Sequence, residues 1–501
     1  MIAHPTPTDN PQALRDLAER LLAFVRDAAT AGAAAHEAER GIWQYLLDLG
    51  RTALGHFFAL QGTGDLGAAV TLPDGQTCAR LPEVHERRYV SIFGPFTLRR
   101  TCYGSREGQP IALVPLDNRL QLPESAFSYV LQDWDQALCV EQAFGQARGT
   151  VARILGLKQS VDSLERMNAQ MAARVADFRE DRPPPDPQTE GAILVTSADG
   201  KGVVMRRPAD APAPAARRAK GEKASVKRMA TVGTAYTVDR FVRTPEEVVA
   251  ALFRDGPEPA RRPRPCHKRV WASLPREGEG AGGQTSQGVV YRWLLNEVAE
   301  RNPRLQKEMV HLGDGQEALW QARRAHLPAR NTTDVLDVLH VTPRLWQAAH
   351  LFHPEGSREA EAFARERLLR VLRGKVGPVV RGLRALASRR GLSGAKKKAL
   401  GKVCAYLRAN AGRMRYDEYL AKGYPIASGV IEGACRHLVK DRLERAGMHW
   451  TEAGAQAMLD VRSTYVNGDW EEYQAYRITR ETNRLYPHRQ LVEGTQYVLA
   501  A

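Results

Sequence analysis

The chain has 501 residues and an ordinary globular composition, 43% hydrophobic and 26% charged, which allows several domains that each bury a core. Its formal net charge of +15 is high and indicates a polyanionic partner. Nucleic acid is the first candidate, because Lys and Arg that bind phosphates release condensed counterions. A solvated basic surface is the alternative explanation of the same charge.

The six cysteines lie far apart and include no Cys-x-x-Cys pair, which argues against a zinc ribbon. The opening segment MIAHPTPTDN does not resemble a signal peptide, and no apolar run reaches the length of a membrane span. We therefore expect reduced thiols, a cytoplasmic location and no membrane partner.

The N-terminal region reads as helices around a β-hairpin. Residues 11–60 carry apolar side chains at helical spacing. Next, RRYVSIFGPFTLRRTCY has two alternating runs on either side of Gly94 and Pro95, which predicts a hairpin. Its arginines, among them Arg99 and Arg100, could contact a phosphate backbone or could form a solvated sheet face.

A second helical stretch covers residues 125–178. Its pattern is a helix, a break at residues 156–159, and another helix capped by Ser160. This could be a helix-turn-helix that places its second helix in a major groove, although any two-helix hairpin has the same pattern.

The segment REDRPPPDPQTEG reads as a linker, and the chain changes character after it. Apolar, β-branched runs then alternate with helical stretches, which indicates an α/β sheet. Strand signals vanish from residue 356 to 422, where basic helices predict an all-helical insertion. The segment GVIEGACRHLVKDRLERAG then predicts a helix that returns to the α/β body and stops at Gly447.

The stretch TSADGKGVVMR contains the first candidate ligand, Asp199. An Asp-Gly pair after an apolar strand is a hairpin-turn signal, and Gly200 and Gly202 would then serve a tight passage between two strands. The alternative is a metal ligand, which needs partners elsewhere in the chain. Lys201 is a candidate phosphate contact, although a phosphate loop is excluded because a strand, not a helix, follows it.

Two further acidic residues complete a constellation with Asp199. Asp314 ends the strand in VHLGDGQEALW, and its flanking glycines would let a nucleic-acid backbone come close. Glu432 lies early in the returning helix, on roughly the face of Cys435, and is expected to point at the sheet. Strand-end carboxylates on neighbouring strands can share Mg²⁺, which prefers oxygen ligands. Each residue also has a plain alternative role. Asp199 could be a turn residue, Asp314 could cap the helix that follows it, and Glu432 could form a surface ion pair with Arg436.

The blocks SADGKGV, GDGQEALW, DVLHV and YPIASGVIEGACRHLVKDRLERAGMHW resemble the signature blocks of ISKra-type insertion-sequence transposases, a group similar to Mutator-like DDE transposases. The resemblance runs over residues 191–469 and implies an α/β ribonuclease-H-like catalytic core with an all-helical insertion. It implies two divalent ions, Mg²⁺ or Mn²⁺, held by Asp199, Asp314 and Glu432. Asp337 and His340 match the spacing of a further family motif and would be accessory residues.

The same resemblance implies DNA transposition: water nicks the transposon end, and the freed 3′ hydroxyl attacks target DNA in line. The partners would be double-stranded DNA, namely terminal inverted repeats and target, and a second copy of the chain, in association with the nucleoid. Lys201, Arg436, Arg99 and Arg100 are predicted DNA contacts. A non-catalytic DNA-binding protein and a ribonuclease-H-like nuclease without joining activity are the alternatives.

The predicted organisation has five segments. A mostly helical DNA-binding region with a β-hairpin is followed by the first part of the core, the insertion, the helix that carries the catalytic glutamate, and a tail. Their bounds are residues 1–180, 190–355, 356–422, 423–470 and 471–501.

Overall fold

The structure is a computed structural model that describes residues 10–104, 111–207, 227–255, 261–275, 285–445 and 447–493. The chain divides into two compact units: a terminal unit of Met1–Arg174 with Trp470–Ala501, and a central unit of Val175–Asp469. The division lies close to the predicted linker. The predicted tail begins instead with a helix that belongs to the terminal unit, and residues 494–501 lie outside the described part.

The terminal unit starts with an antiparallel pair of helices, α1 (Pro11–Thr30) and α2 (Ala35–Leu60). The rings of Phe24 and Tyr45 pack between them with centroids 5.4 Å apart. Two small sheets follow: one has the strand order β1-β2-β5, and the other is the hairpin β3–β4. Their strands are β1 (Ala69–Thr71), β2 (Thr77–Arg80), β3 (His85–Ser91), β4 (Gly94–Arg100) and β5 (Tyr103–Gly104).

The predicted β-hairpin is confirmed, with a shift of its turn. Ser91 pairs with Gly94, so the turn residues are Ile92 and Phe93. Gly94 begins the second strand at φ 127°, a backbone conformation that favours glycine. The sequence signal at Gly94 therefore marks the exit from the turn.

Four helices continue the terminal unit: α3 (Pro115–Leu120), α4 (Tyr129–Cys139), α5 (Phe144–Leu155) and α6 (Val161–Ala172). The predicted break is present, because Gly156 closes α5 in the left-handed conformation and the Ser160 hydroxyl caps α6. The exposed face of α6 carries Asp162 and Glu165 beside Arg166. This mixed charge does not favour α6 as a groove-reading helix.

The central unit begins with α7 (Val175–Asp181) and is built on a five-stranded sheet of order β10-β9-β6-β7-β8. Strands β6, β7 and β8 are antiparallel neighbours, while β9 and β10 run parallel to β6. The strands are β6 (Ile193–Val204), β7 (Lys227–Val238), β8 (Cys266–Ser273), β9 (Glu308–Gly313) and β10 (Thr332–Leu336).

The turn interpretation of Asp199 and Gly200 is wrong, because β6 runs through both residues without interruption. Its ladder with β7 is continuous from Ile193–Val238 to Val204–Lys227. The local Asp-Gly signal is overridden by this long ladder. Strand β8 is absent from the sequence prediction, because its first half is polar and exposed at the edge of the sheet.

Helices cover both faces of this sheet. One face packs Ala198 and Ala235 on apolar residues of α9 (Ser286–Arg301) and α10 (Glu317–His326). The other packs Val195 and Leu312 in a core shared with α8 (Pro245–Phe253) and α11 (Val338–Ala349). This is a three-layer α/β/α arrangement, in agreement with the predicted α/β class.

The predicted helical insertion consists of α12 (Arg358–Leu372), α13 (Val376–Arg389), α14 (Gly394–Ala409) and α15 (Tyr416–Ala421). Leu368, Leu383 and Leu407 belong to the same core as the sheet. The returning helix follows as α16 (Gly429–Ala434), a π-helical turn (Cys435–Lys440) and α17 (Asp441–Leu443). The last helices are α18 (Glu452–Asn467), against β8, and α19 (Trp470–Leu485), in the terminal unit.

Candidate active site

Asp199 lies within β6, and Asp314 directly follows the neighbouring parallel strand β9. The parallel register of β6 and β9 ends with Ser197 opposite Leu312, and the Ser197 hydroxyl donates to the Leu312 carbonyl at 2.8 Å. Each aspartate lies two residues beyond this pair. Because side chains two residues apart share a face of the sheet, the register brings both carboxylates to one edge.

These two carboxylates face each other as like charges. Asp199 is half-buried, and burial raises its pKa, as does the negative charge of Asp314. Asp199 Oδ1 accepts the Gly200 N–H at 2.6 Å, and Asp314 Oδ1 accepts the Gln316 N–H at 2.8 Å. The His340 imidazole is near enough to lower the pKa of Asp199 in part, so two acids and a histidine share one electrostatic environment.

The glycines that flank Asp314 make room for the protein itself. A Cβ on Gly313 would lie 2.7 Å from the Trp320 ring, and Gly315 adopts φ 92° with the Tyr406 hydroxyl 2.9 Å from its Cβ position. Tyr406 then donates a hydrogen bond to the Asp314 carbonyl at 3.0 Å. The glycines thus let aromatic side chains fix the Asp314 loop, rather than opening it to a DNA backbone as predicted.

Glu432 reaches the same edge through its helix. Three residues further on, the Cys435 thiol donates a hydrogen bond to Asp199 Oδ2 at 3.5 Å. Burial raises the pKa of this thiol, and the Asp199 charge raises it further, so Cys435 stays a neutral donor. Glu432 itself is 50% exposed and lies with Oε1 3.9 Å from His340 Nε2. It therefore borders the site beside His340, whereas Cys435 takes the position facing the sheet.

Asp337 connects the elements that carry the other site residues. It directly follows β10, its N–H donates to the Gly313 carbonyl at 2.9 Å, and its Oδ1 caps α11 by accepting the Leu339 N–H at 2.7 Å. Its Oδ2 accepts both the backbone N–H and the hydroxyl of Ser428, the residue that precedes α16. The fully buried Asp337 therefore connects to β9 through its backbone N–H, and its carboxylate links α11 to the start of α16.

Ligand atoms of Asp337, His340 and Glu432 lie within 4.8 Å of one another, a group that could hold a metal ion. His340 occupies the first turn of α11 with its side chain 41% exposed. His340 therefore lies partly exposed at the start of a helix and is not a core histidine. The edge thus offers one carboxylate from within β6, two from the residues that follow β9 and β10, and one from α16, together with one imidazole.

The predicted DNA contacts near this edge are occupied by ion pairs. Lys201 pairs with Glu444, with 3.5 Å between Nζ and Oε2, and Lys227 pairs with the same carboxylate at 2.9 Å. Arg436 pairs with Asp441 at 3.7 Å, not with Glu432, and remains 70% exposed. Of these cations, Arg436 is the most accessible to a phosphate.

The two hairpin arginines of the terminal unit differ from each other. Arg100 and Arg87 both donate to Asp117 Oδ2, at 2.6 and 2.7 Å, and all three side chains are largely buried. Arg99 is exposed and stands opposite Glu86 on the paired strand. Arg100 therefore has a structural partner, and only Arg99 presents its charge to solvent.

Sequence reasoning missed Cys435 as the partner of Asp199, Ser428 as the partner of Asp337, and Tyr406 above Asp314. Cys435 could have been found, since the spacing of three residues places it near Glu432 on a helix. Ser428 carries the signal of a serine before a helix, but its hydroxyl bonds Asp337 and not its own helix. No local sequence pattern indicates that Tyr406 contacts the Asp314 loop.

No protein-family model and no curated protein matches this sequence. The solved structure of the "Drosophila P element transposase strand transfer complex" matches with a TM-score of 0.24 and 9% identity, over 74% of this chain and 88% of that chain. At that TM-score the likeness carries no argument about fold or chemistry. Within the described ranges, no helix has the length and apolarity needed to cross a membrane.

Proposed function

We propose that this chain is a metal-dependent DNA transposase of the ISKra type that cuts and joins DNA at transposon ends. The observation that carries the proposal is that Asp199 and Asp314 each lie two residues beyond the last pair of the parallel β6–β9 ladder, and that Cys435, directly after α16, donates a hydrogen bond to Asp199. The five-stranded mixed sheet covered by helices supports the expected ribonuclease-H-like core. The ISKra-type motifs are the sequence basis of the proposal.

The residues at this edge fit divalent cations. The pKa of Asp199 rises through burial and then through the negative charge of Asp314, and a bound cation would offset this repulsion. The donors are carboxylate oxygens with one imidazole, a set suited to Mg²⁺ or Mn²⁺. We assign two ions to Asp199, Asp314 and Glu432. When bound, they would stabilise charge on the transferring phosphoryl group and lower the pKa of the attacking water.

The protein contributes orientation. The Gly200 N–H and the Cys435 thiol hold the two oxygens of Asp199, and Tyr406 fixes the loop that carries Asp314. Asp337, through Ser428 and Leu339, holds the first turns of α16 and α11 in register, so that His340 steadies Glu432. Preformed positions of this kind spare the reorganisation that phosphoryl transfer would otherwise require.

The polyanionic partner in the proposal is double-stranded DNA. The net charge of +15 supports it, as do the exposed Arg436 and Arg99. Lys201 and Arg100 support it less, because each has a carboxylate partner within the chain.

The test uses the full chain and a plasmid that carries the DNA flanking its gene, with Mg²⁺ or Mn²⁺. We expect nicking at the element ends followed by joining to a second DNA. Asp314→Asn and Glu432→Gln should abolish both steps, while Glu361→Gln, an exposed acid of the first turn of α12, should leave them unchanged. Wild-type rates in either site variant would overturn the site assignment.

The same assay separates the alternatives. Cleavage without joining identifies a nuclease. Binding of the flanking DNA with no cleavage in either cation identifies a non-catalytic DNA-binding protein.

A further inference from the structure

The α1–α2 helix pair exposes large apolar side chains on one side. Helix α1 buries none of its residues, although its apolar side chains recur at helical spacing. Leu22 and Val25 on α1 are 58% and 43% exposed, and Trp43 and Leu46 on α2 are 45% and 43% exposed. We call these four residues the hairpin face. Large apolar side chains exposed on one side of a helix pair indicate an interaction surface.

The four residues lie on the same side because of the antiparallel packing. The Phe24 ring of α1 lies over Gly41 and packs at a tilt against Tyr45 of α2, and the half-buried Leu21 and Ile42 lie one turn away on the same inward sides. Each residue of the hairpin face directly follows one of these inward residues. Successive side chains on a helix are rotated by about 100°. Because α1 and α2 are antiparallel, this rotation places Leu22 and Val25 of α1 on the same side of the helix pair as Trp43 and Leu46 of α2.

Within the described part of the chain, other elements cover only the margins of this face. Ile154 of α5 extends it and is itself 50% exposed, while its carbonyl accepts the Trp43 indole N–H at 2.7 Å. Phe93 of the β3–β4 turn packs over Gly50 and closes one end. Water therefore reaches an apolar surface contributed by two long helices, an arrangement that favours burial against further helices.

We propose that the hairpin face packs against the same face of a second copy of this chain, forming a four-helix bundle. The charges at its two ends indicate this occupant. Arg15 follows the inward Leu14 at one end, Glu39 follows the inward Ala38 at the other, and both are exposed. A twofold axis across the helices would bring Arg15 of each copy to Glu39 of the other, so the face is complementary to itself.

These two charges cannot meet within one chain. Gly41 lies under Phe24, so Glu39 is level with Arg26, eleven residues from Arg15. At a rise of about 1.5 Å per residue, the two residues are separated by roughly 16 Å along the α1–α2 helix pair. Neither side chain forms an ion pair with any residue in the described ranges. Contact between them therefore requires a second copy.

The inference does not rest on the metal site, although it gives the proposed strand transfer the two copies that could hold two DNA ends. Asp314→Asn should assemble as the wild type does. A defect in assembly and a defect in chemistry can therefore be told apart in the same preparation.

The test is the mass of the full chain in solution, measured by light scattering and sedimentation without DNA. We expect twice the 55.5 kDa mass of one chain. Val25→Glu should give the single-chain mass with unchanged circular dichroism and melting temperature, because Val25 is exposed. A wild-type monomer at tens of micromolar, or a Val25→Glu dimer of wild-type affinity, would overturn the proposal.

A charge exchange tests the arrangement of the two copies. Arg15→Glu and Glu39→Arg should each raise the dimer dissociation constant about fivefold to tenfold, because each change affects two symmetric pairs. The double variant carries the exchanged charges in both copies and should recover wild-type affinity to within about threefold. A double variant as weak as the two single variants combined would exclude the antiparallel pairing of the faces.

Discussion

Charge is organised in opposite ways at the sheet edge of the central unit and in the β-hairpin of the terminal unit. In the β-hairpin, Arg87 and Arg100 both pair with Asp117 of α3, so largely buried charges of opposite sign attract each other. At the sheet edge, Asp199 and Asp314 have the same sign, and the pKa of Asp199 rises through burial and then through its neighbour. The arrangement in the β-hairpin stabilises the fold, whereas the sheet edge gathers negative charges that a cation could bind.

The largest effect should come from removing one acid of the sheet edge. If the proposed metal site is correct, Asp314→Asn should reduce DNA cleavage by about a thousandfold, or roughly 4 kcal/mol of transition-state stabilisation, because one of the three proposed carboxylate ligands is lost. The measurement is single-turnover nicking of the flanking-DNA plasmid in Mg²⁺. A loss below about tenfold would remove Asp314 from the proposed metal site.

At the β-hairpin, replacing the acid that Arg87 and Arg100 share should change the stability of the protein. Asp117→Asn leaves two largely buried guanidinium groups without their anion and should lower the free energy of unfolding of the terminal unit by about 3 kcal/mol. Urea denaturation measures this. Glu493→Gln, which breaks the exposed pair with Arg489, is the matched control and should cost less than about 0.5 kcal/mol. If Asp117→Asn and Glu493→Gln lower the free energy of unfolding equally, the Asp117 ion pairs do not stabilise the fold more than an exposed pair does.

A smaller effect should follow from loosening the link between α11 and α16. Ser428→Ala removes the hydroxyl that donates to Asp337 and should raise the Mg²⁺ concentration for half-maximal cleavage about tenfold, because Glu432 is held less firmly. Ser428→Thr keeps a hydroxyl and should restore the wild-type Mg²⁺ dependence. If Ser428→Ala lowers the melting temperature yet keeps that dependence, the contact serves stability alone.

The smallest effect concerns pH in the absence of metal. The folded-state pKa of Asp199 lies above its ordinary 3.8, so the folded state holds this proton more tightly than the unfolded state. In EDTA, the free energy of unfolding should therefore fall as the pH rises from 3.8 through the folded-state pKa of Asp199. This decrease should be smaller in Asp314→Asn, which removes the neighbouring negative charge. At neutral pH that variant should melt roughly 2 °C higher than wild type in EDTA. A lower melting temperature would mean that the two carboxylates do not repel each other.

The sequence predicted the parts of the site that depend on local patterns. The positions of Asp314 after an apolar run and of Glu432 on a helix follow from periodicity. The strand before Asp199 follows from its apolar residues, but the turn predicted at Asp199 and Gly200 does not exist. The ladder that overrides the turn involves β7, which a local pattern cannot register. Likewise, Asp337 bonds Ser428 across 91 residues, and Cys435 bonds Asp199 across 236, so only the tertiary fold brings these partners together.

The helices between residues 358 and 421 have a consequence for how this protein can be altered or recombined. They interrupt the α/β sequence, yet the Tyr406 hydroxyl supports the Asp314 carbonyl, and the Tyr416 hydroxyl supports the Leu336 carbonyl immediately before Asp337. Their leucines also complete the core beneath the sheet. This segment therefore acts as a scaffold for the strand ends and is not a detachable module. A shortened chain or a chimera would have to keep both tyrosines at these positions to retain the geometry of the acidic edge.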